Sequence, residues 1–410
     1  MWRRWVEPWY VSYALLGAAV AGLAPILLPL TVIRTASAAD VGLVMAAFSF
    51  GGLTAPLWGS LADRYRLHRW LLLVGLVVAG VGFVLFPFAG SLGPWLGLAI
   101  VQGGGAAAAS TVANLFIVEL HPQSEWDERI GWLQTFYGAG QVGGLFLAGV
   151  LGQGDVRTGL FVAGVLVFLG VLPGWRTARA AVAPLRPKPV PLHPVRHAEW
   201  PPISPQRLFH HLTPEALRHL TTALLSSFGL FLVAWLLSFG GSAAMFSLFP
   251  VLMHEAYGIS PAVSSVGFAV AAGLGLVLYS PAGRWSEGSG PSSVLRTALL
   301  VRVLAFVGLF GLASAPSGPL ALLALPAFAL VVLAWSLLSV SGTALTARLS
   351  PVGEGIGMGL FNATTALASV IGAVLGGLVA GLIGYAAVLG LAVAGNVLGL
   401  LLVLAIRSSR

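Results

Sequence analysis

Gln134, Tyr137 and Gln141 are spaced i, i+3 and i+7, which puts two amides and a phenol on one face of a helix. Asn362, Thr365 and Ser369 repeat that spacing about 228 residues later. Ser110 and Asn114 map, about 225 residues on, to Trp335 and Ser339. Trp235, Ser238 and Ser242 share one side of a further segment, with Tyr10 and Tyr13 at the related positions near the start of the chain. These groups offer hydrogen bonds and aromatic surface but no nucleophile paired with a base. Their chemistry is that of a neutral cavity that holds an organic solute without altering it. The competing role is helix packing, because a hydrogen bond between helices in a membrane contributes about 1 kcal/mol or less. An amide buried in lipid needs a partner or water, whereas a hydroxyl can bond to a carbonyl of its own helix. Gln134, Gln141 and Asn362 are therefore stronger cavity candidates than the serines and threonines.

The ionisable residues narrow the chemistry further. Every Asp and Glu falls in a loop or at the end of an apolar run, so none stands out as a mid-membrane proton carrier; Glu119 and Glu255 come nearest. Arg302 is the one ionisable residue deep within an apolar run, where it can bind an anion or serve a structural pairing. The chain has no cysteine, which excludes disulfides and thiolate catalysis. His193, His197, His210, His211 and His219 lie in a polar stretch without convergent carboxylates and read as solvated loop residues. No catalytic residue, metal site or cofactor is expected.

Elements that could position such stripes are written in the composition. Of 410 residues, 58% are apolar and 8% charged, too few charges to cover a soluble surface. Twelve apolar runs are each long enough to cross a hydrocarbon layer of roughly 30 Å. They lie near 9–33, 41–62, 70–90, 95–117, 130–152, 158–175, 224–252, 262–283, 293–313, 319–346, 355–380 and 383–406. Alternating the gaps between two sides leaves only Arg34 and Arg157 on one of them, with the remaining arginine-bearing loops on the other. Basic loops stay in the cytoplasm, so both termini are expected there. The net charge of +8 is explained by this topology and by anionic lipid, and nucleic acid is not expected as a partner.

The chain also repeats itself. Val41-Gly42 matches Val266-Gly267, Pro56 matches Pro281 and Pro94 matches Pro319, all at a shift of about 225 residues. Internal duplication in an apolar chain suggests a transporter. Between the halves, Arg176 to Leu220 holds nine prolines, five histidines and seven cations. The expected organisation is a six-helix bundle over 1–175, a cytoplasmic linker over 176–221 and a second six-helix bundle over 222–410. Prolines 184, 187, 189, 191 and 194 favour an extended, semi-rigid tether. Thr213-Pro214-Glu215 reads as a helix start, and the leucines around it predict a short interfacial helix.

Gly59-Ser60-Leu61-Ala62-Asp63-Arg64-Tyr65-Arg66-Leu67-His68-Arg69 follows the second run, and Gly283-Arg284-Trp285-Ser286-Glu287 echoes it in the second half. The first segment resembles the G-x-L-a-D-R-x-G-R-K signature of the major facilitator superfamily, with Arg66 where the family has glycine. The resemblance implies an all-α integral membrane fold of twelve transmembrane helices in two pseudo-symmetric bundles, with cytoplasmic termini. It implies a cytoplasmic gate containing Gly59, Asp63, Arg64 and Arg69, with Glu287 as the second-half counterpart. It also makes the ninth helix peripheral, which favours the structural role for Arg302. Gln102-Gly103-Gly104-Gly105-Ala106-Ala107 is similar to a signature of proton-coupled members, but Ala99 replaces its arginine, and Gly140-Gln141-Val142-Gly143-Gly144 is similar to that of drug antiporters, with Gln141 in place of proline. Glu125-Trp126-Asp127-Glu128-Arg129 resembles the acidic partner network on the cytoplasmic side, and a plain solvated loop is an equal reading.

The function expected is alternating-access transport, as an exporter, of a small weakly polar or amphipathic organic solute. The cavity is assigned to Ser110, Asn114, Gln134, Tyr137, Gln141, Trp235, Ser238, Trp335, Ser339, Asn362, Thr365 and Ser369. Sugars or other hydroxylated metabolites are the alternative cargo, and a non-transporting receptor or membrane enzyme is the alternative of another class. Partners are the solute and membrane lipid, with a coupling proton or ion left open. A monomer in the cell (inner) membrane is expected, since one chain supplies both bundles.

Overall fold

The computed structural model describes residues 6–58, 61, 68–122, 125–152, 154–180, 226–314, 319–351 and 354–406. The interfacial helix expected near 208–220 and the gate residues Gly59, Asp63 and Arg64 lie outside them. The described residues form helices and short connections. The first half contains α1 (Tyr10–Ile33), α2 (Ala38–Gly52), α3 (His68–Leu85), α4 (Leu92–Leu120), α5 (Trp126–Leu151) and α6 (Val156–Ala180). The second contains α7 (Ser227–Ser247), continued by a short helix Phe249–Tyr257, then α8 (Pro261–Ser289), α9 (Pro291–Ser314), α10 (Ala324–Leu349), α11 (Glu354–Leu382) and α12 (Tyr385–Ala405). Among the described residues, 11 helices are long and apolar enough to cross a membrane. Helix α5 is as long, at 26 residues, but its charged first turn and its glutamines make it less apolar.

Local signals set the helix ends. Ser37 caps α2 through a reciprocal box in which its Oγ accepts from the Asp40 N–H and its own N–H donates to Asp40 Oδ2 at 2.9 Å. Ser260 caps α8 ahead of Pro261, and Gly258, at φ 68°, stops the preceding short helix in the left-handed conformation that glycine adopts without strain. Within α1 the segment Ala18–Leu23 takes the wider π-helical winding, flanked by α-helical turns.

Helix pairing repeats between the halves. In the first, α1 packs on α5 and α6, α3 on α4 and α6, and α2 on α4; in the second, α7 packs on α11 and α12, α9 on α10 and α12, and α8 on α10. The halves meet through α2 against α11 and α5 against α8, a set that is symmetric under the same exchange. Lipid tails are as apolar as leucine, so close packing of small residues must hold such helices together. A Cβ at Gly140 or Gly144 would fall on the carbonyls of Ala14 and Ala18 of α1, and one at Gly372 or Gly376 on those of Gly240 and Ala244 of α7. Outward faces carry exposed apolar side chains, such as Val74, Val77, Val81 and Leu85 on α3 and Val270, Leu274 and Val277 on α8.

Arg34 at the α1–α2 corner donates to the Gly154 carbonyl at the α5–α6 corner (3.3 Å), which places these connections at one end of the molecule, the distal face. The opposite, terminal face holds Glu7, which pairs with Arg129 at 3.1 Å and His121 at 2.6 Å, while Arg129 also binds Glu125 at 2.9 Å. On the same face Arg296 at the start of α9 donates to the Ile406 carbonyl at 3.3 Å.

Candidate solute cavity

A cavity of about 590 Å³ lies between the halves. The first half contributes Ala21 and Pro25 of α1, Met45, Phe48 and Ser49 of α2, and Tyr137 and Gln141 of α5. From the second come Phe239, Ser242, Ala243, Phe246 and Ser247 of α7, Phe268, Ala272, Gly275, Leu276 and Tyr279 of α8, and Val332, Trp335 and Ser336 of α10. Arg302 of α9 and Ser369 and Ala373 of α11 complete the wall. Its floor toward the distal face is the crossing of α2 and α11, where a Cβ on Gly42 would strike the Ala373 carbonyl and Gly377. Gly149 of α5 meets Ala262, Ser265 and Val266 of α8 at the same level. Toward the terminal face, Phe50 of α2 and Tyr279 of α8 are 51% and 37% exposed.

Five residues read from sequence as cavity lining stand in this wall: Tyr137, Gln141, Ser242, Trp335 and Ser369. Ser110, Asn114 and Gln134 gather instead around the hydroxyl of Tyr13, and Asn114 Nδ2 also donates to the Ser110 carbonyl at 2.9 Å. Trp235 Nε1 donates to Thr365 Oγ1 at 2.8 Å, tying α7 to α11. Ser238 donates to Asn396 Oδ1 at 2.8 Å, and Asn396 Nδ2 donates to Ser242 at 3.1 Å, a closed network linking α7 and α12. Ser339 donates to the Ser336 carbonyl at 3.2 Å, and Asn362 is exposed on α11. Of the gate residues within the described part, Glu287 is exposed in the last turn of α8 and Arg69 belongs to the first turn of α3.

Hydroxyls in the wall are largely engaged with their own structure. Ser369 donates to the Thr365 carbonyl, Ser247 to that of Ala244 and Ser336 to that of Gly275. Gln141, Tyr137 and Tyr279 make no hydrogen bond with the described residues, so their polar groups are available to a solute or to water. Sequence reasoning missed Tyr279 and the ring cluster of Phe246, Phe268 and Phe328, whose centroids lie 5.2 to 5.9 Å apart. Their only signal was apolarity, which every lipid-facing residue shares. Asn396 had a readable signal as a lone amide in an apolar run.

Arg302 departs from the expected neutral cavity. Although α9 lies on the outer side of its half, packing on α10 and α12, the side chain reaches inward, is 2% exposed, and sits 6.0 Å from the Trp335 ring centroid. A guanidinium remains charged in proteins, so the wall carries one positive charge.

Two bundles related by an internal repeat, meeting around a cavity in an apolar helical chain, define a membrane transporter architecture. The chain belongs to the Major Facilitator Superfamily, whose family model matches residues 9–354. It is a multi-pass membrane protein. Among curated relatives it is 32% identical over 96 residues to the efflux transporter pyiT of Pyricularia grisea, covering 23% of this chain and 16% of that protein. It is 29% identical over 113 residues to the class B tetracycline resistance protein of Escherichia coli, 27% of each chain. The multidrug resistance protein MdtG of Yersinia enterocolitica is 29% identical over 151 residues, 36% of each. The chain thus matches between 16% and 36% of the length of these relatives. In structure it is similar to the nucleoside transporter NupG, with a TM-score of 0.73, 13% identity and coverage of 98% of both chains. A bacterial homologue of the lysosomal transporter Spinster gives a TM-score of 0.70 at 16% identity, covering 98% of this chain and 97% of that one. At such identities the likeness is one of fold.

Proposed function

We propose that the protein is an alternating-access secondary transporter that exports a small amphipathic organic solute across the cell (inner) membrane, with α5 as its twelfth span and the terminal face toward the cytoplasm. The observation that carries this reading is a cavity walled by both halves and sealed on the distal side by the crossing of α2 and α11. Rocking the halves would open that crossing and close the terminal side. The names of the relatives, efflux, tetracycline resistance and multidrug resistance, support outward movement of an organic compound. Gly59, Asp63, Arg64, Arg69 and Glu287 are assigned to the terminal-side gate on the strength of the signature. Asp63→Asn is expected to slow flux while leaving membrane insertion intact. We assign no catalytic step to any residue.

The crossing itself offers the test. A Cβ on Gly381 would lie 4.0 Å from Ala39 Cβ, within disulfide range, and the chain has no cysteine to interfere. In proteoliposomes, oxidation of an Ala39→Cys/Gly381→Cys double variant should stop solute flux, and reductant should restore it. Undiminished flux through the cross-linked protein would reject alternating access at this interface. Gln141 and Tyr137, with hydrogen-bonding groups free in the wall, favour hydroxylated solutes as the second reading of the cargo.

A further inference from the structure

Arg302 is a buried cation that no described residue neutralises. It makes no hydrogen bond or ion pair with any described residue, and its Nε has no partner. Among the described residues no carboxylate stands in the cavity wall. The guanidinium lies over the face of Trp335, itself a wall residue. A charge withdrawn from water without a counterion is strongly unfavourable, more so than the ring can offset. The planar fork of a guanidinium matches an oxyanion in two parallel hydrogen bonds. A single cation in a wall otherwise free of charge matches one negative charge and not two or three.

The rest of the wall describes the remainder of the ligand. Phe239, Phe246, Phe268 and Trp335 present aromatic surface in the same cavity. We propose that Arg302 anchors one oxyanion group, carboxylate, sulfonate or phosphate diester, and that the cargo is an amphipathic organic monoanion whose apolar body lies against these four rings. The proposal rests on the transporter reading for the movement of this ligand and is independent of it for binding. It replaces a neutral solute by a charged one and gives Arg302 the role of specificity determinant. The shared chemistry admits two sources, a free solute or the headgroup of a single-chain lipid.

The test uses the full chain in nanodiscs of phosphatidylcholine, with thermal unfolding followed at increasing probe concentration. 2-Naphthoate is compared with its neutral isostere 2-naphthamide, and oleoyl lysophosphatidylglycerol, a single-chain phosphodiester monoanion, serves as the lipid arm. The acid should stabilise the wild type at concentrations about tenfold or more below those the amide requires, the difference one charge-assisted pair can supply. Arg302→Gln should abolish that preference, and Arg302→Lys should keep part of it. The unfolding temperature without probe reports whether each variant is folded, and the lysine variant carries the test should the glutamine variant fail. Stabilisation by lysophosphatidylglycerol alone, lost in Arg302→Gln, supports the oxyanion site and makes lipid its source. Equal stabilisation by acid and amide, an acid effect undiminished in both variants, or no effect of either anion overturns the proposal. Solute flux through the reversible cross-link stands or falls separately, so failure of the anion site is distinguishable from failure of the transporter reading.

Discussion

Trp235 Nε1 of α7 donates to Thr365 Oγ1 of α11 at 2.8 Å, and the Thr365 hydroxyl in turn donates to the Phe361 carbonyl at 2.9 Å. The indole is 5% exposed and packs against Phe361 with ring centroids 4.7 Å apart. Two residues whose types suggest solute recognition are thus engaged with each other beside the cavity. A double-mutant cycle of Trp235→Phe and Thr365→Val, followed by unfolding in detergent, should give a coupling of about 0.5–2 kcal/mol, the scale of hydrogen bonds between membrane helices. Solute affinity should change little. A large affinity change with no coupling would return both residues to the binding surface.

The glycine crossings should be intolerant of even a methyl group where backbone lies opposite. Gly144→Ala and Gly372→Ala push Cβ onto the carbonyls of Ala18 and Gly240, and each should destabilise by about 1–3 kcal/mol through overpacking. Gly143 has nothing within 4 Å of a Cβ, so Gly143→Ala is the matched control and should be neutral. Thermal unfolding of the three variants separates close contact from a general dislike of substitution in α5.

Gln141 and Tyr137 differ from Ser238 and Asn396 in what their polar atoms touch. Gln141→Leu and Tyr137→Phe should shift the apparent affinity for the transported solute by about three- to tenfold and leave unfolding nearly unchanged. Asn396→Leu removes the partner of buried Ser238 and should lower stability by about 1–3 kcal/mol with affinity retained. Competition binding and unfolding, measured on the same preparations, check both arms.

Glu7 holds the start of α1 against α4 and α5 through His121 and Arg129, with Trp9 Nε1 donating to its other oxygen at 2.8 Å. The Arg129 side chain is 9% exposed and that of Glu7 24%. Glu7→Gln should loosen this corner, seen as faster proteolysis or hydrogen exchange near residues 6–16 with the distal face unchanged. Equal protection in the variant would show that packing of Trp9 and Tyr10 holds the terminus alone.

Much of the helical architecture was legible in the chain because apolar length is a local property. The run read at 9–33 is the helix Tyr10–Ile33, and that read at 355–380 is Glu354–Leu382. The glycines four apart in α5 and α11 carry a sequence signal of their own, since a small residue every fourth position marks a packing face. Face assignment was a weaker guide. The spacing that puts Gln134, Tyr137 and Gln141 on one side of a helix is real, yet Gln134 lies by Tyr13 and Gln141 lines the cavity, because a stripe along a helix crosses several environments between its ends.

By itself the sequence determined that the chain crosses a membrane repeatedly and that it is built of two related halves. Apolar run length, internal repetition and composition are carried by the residues without knowledge of their neighbours. Only the tertiary structure decided which polar groups satisfy one another and which face the cavity. Trp235 and Ser238 are matched by Thr365 and Asn396, from segments more than a hundred residues away, and no local pattern encodes those partners. Arg302 shows the difference most plainly. Its charge and depth were readable, but that it turns inward to an aromatic wall, with no counterion among the described residues, depends on how α9 packs on α10 and α12.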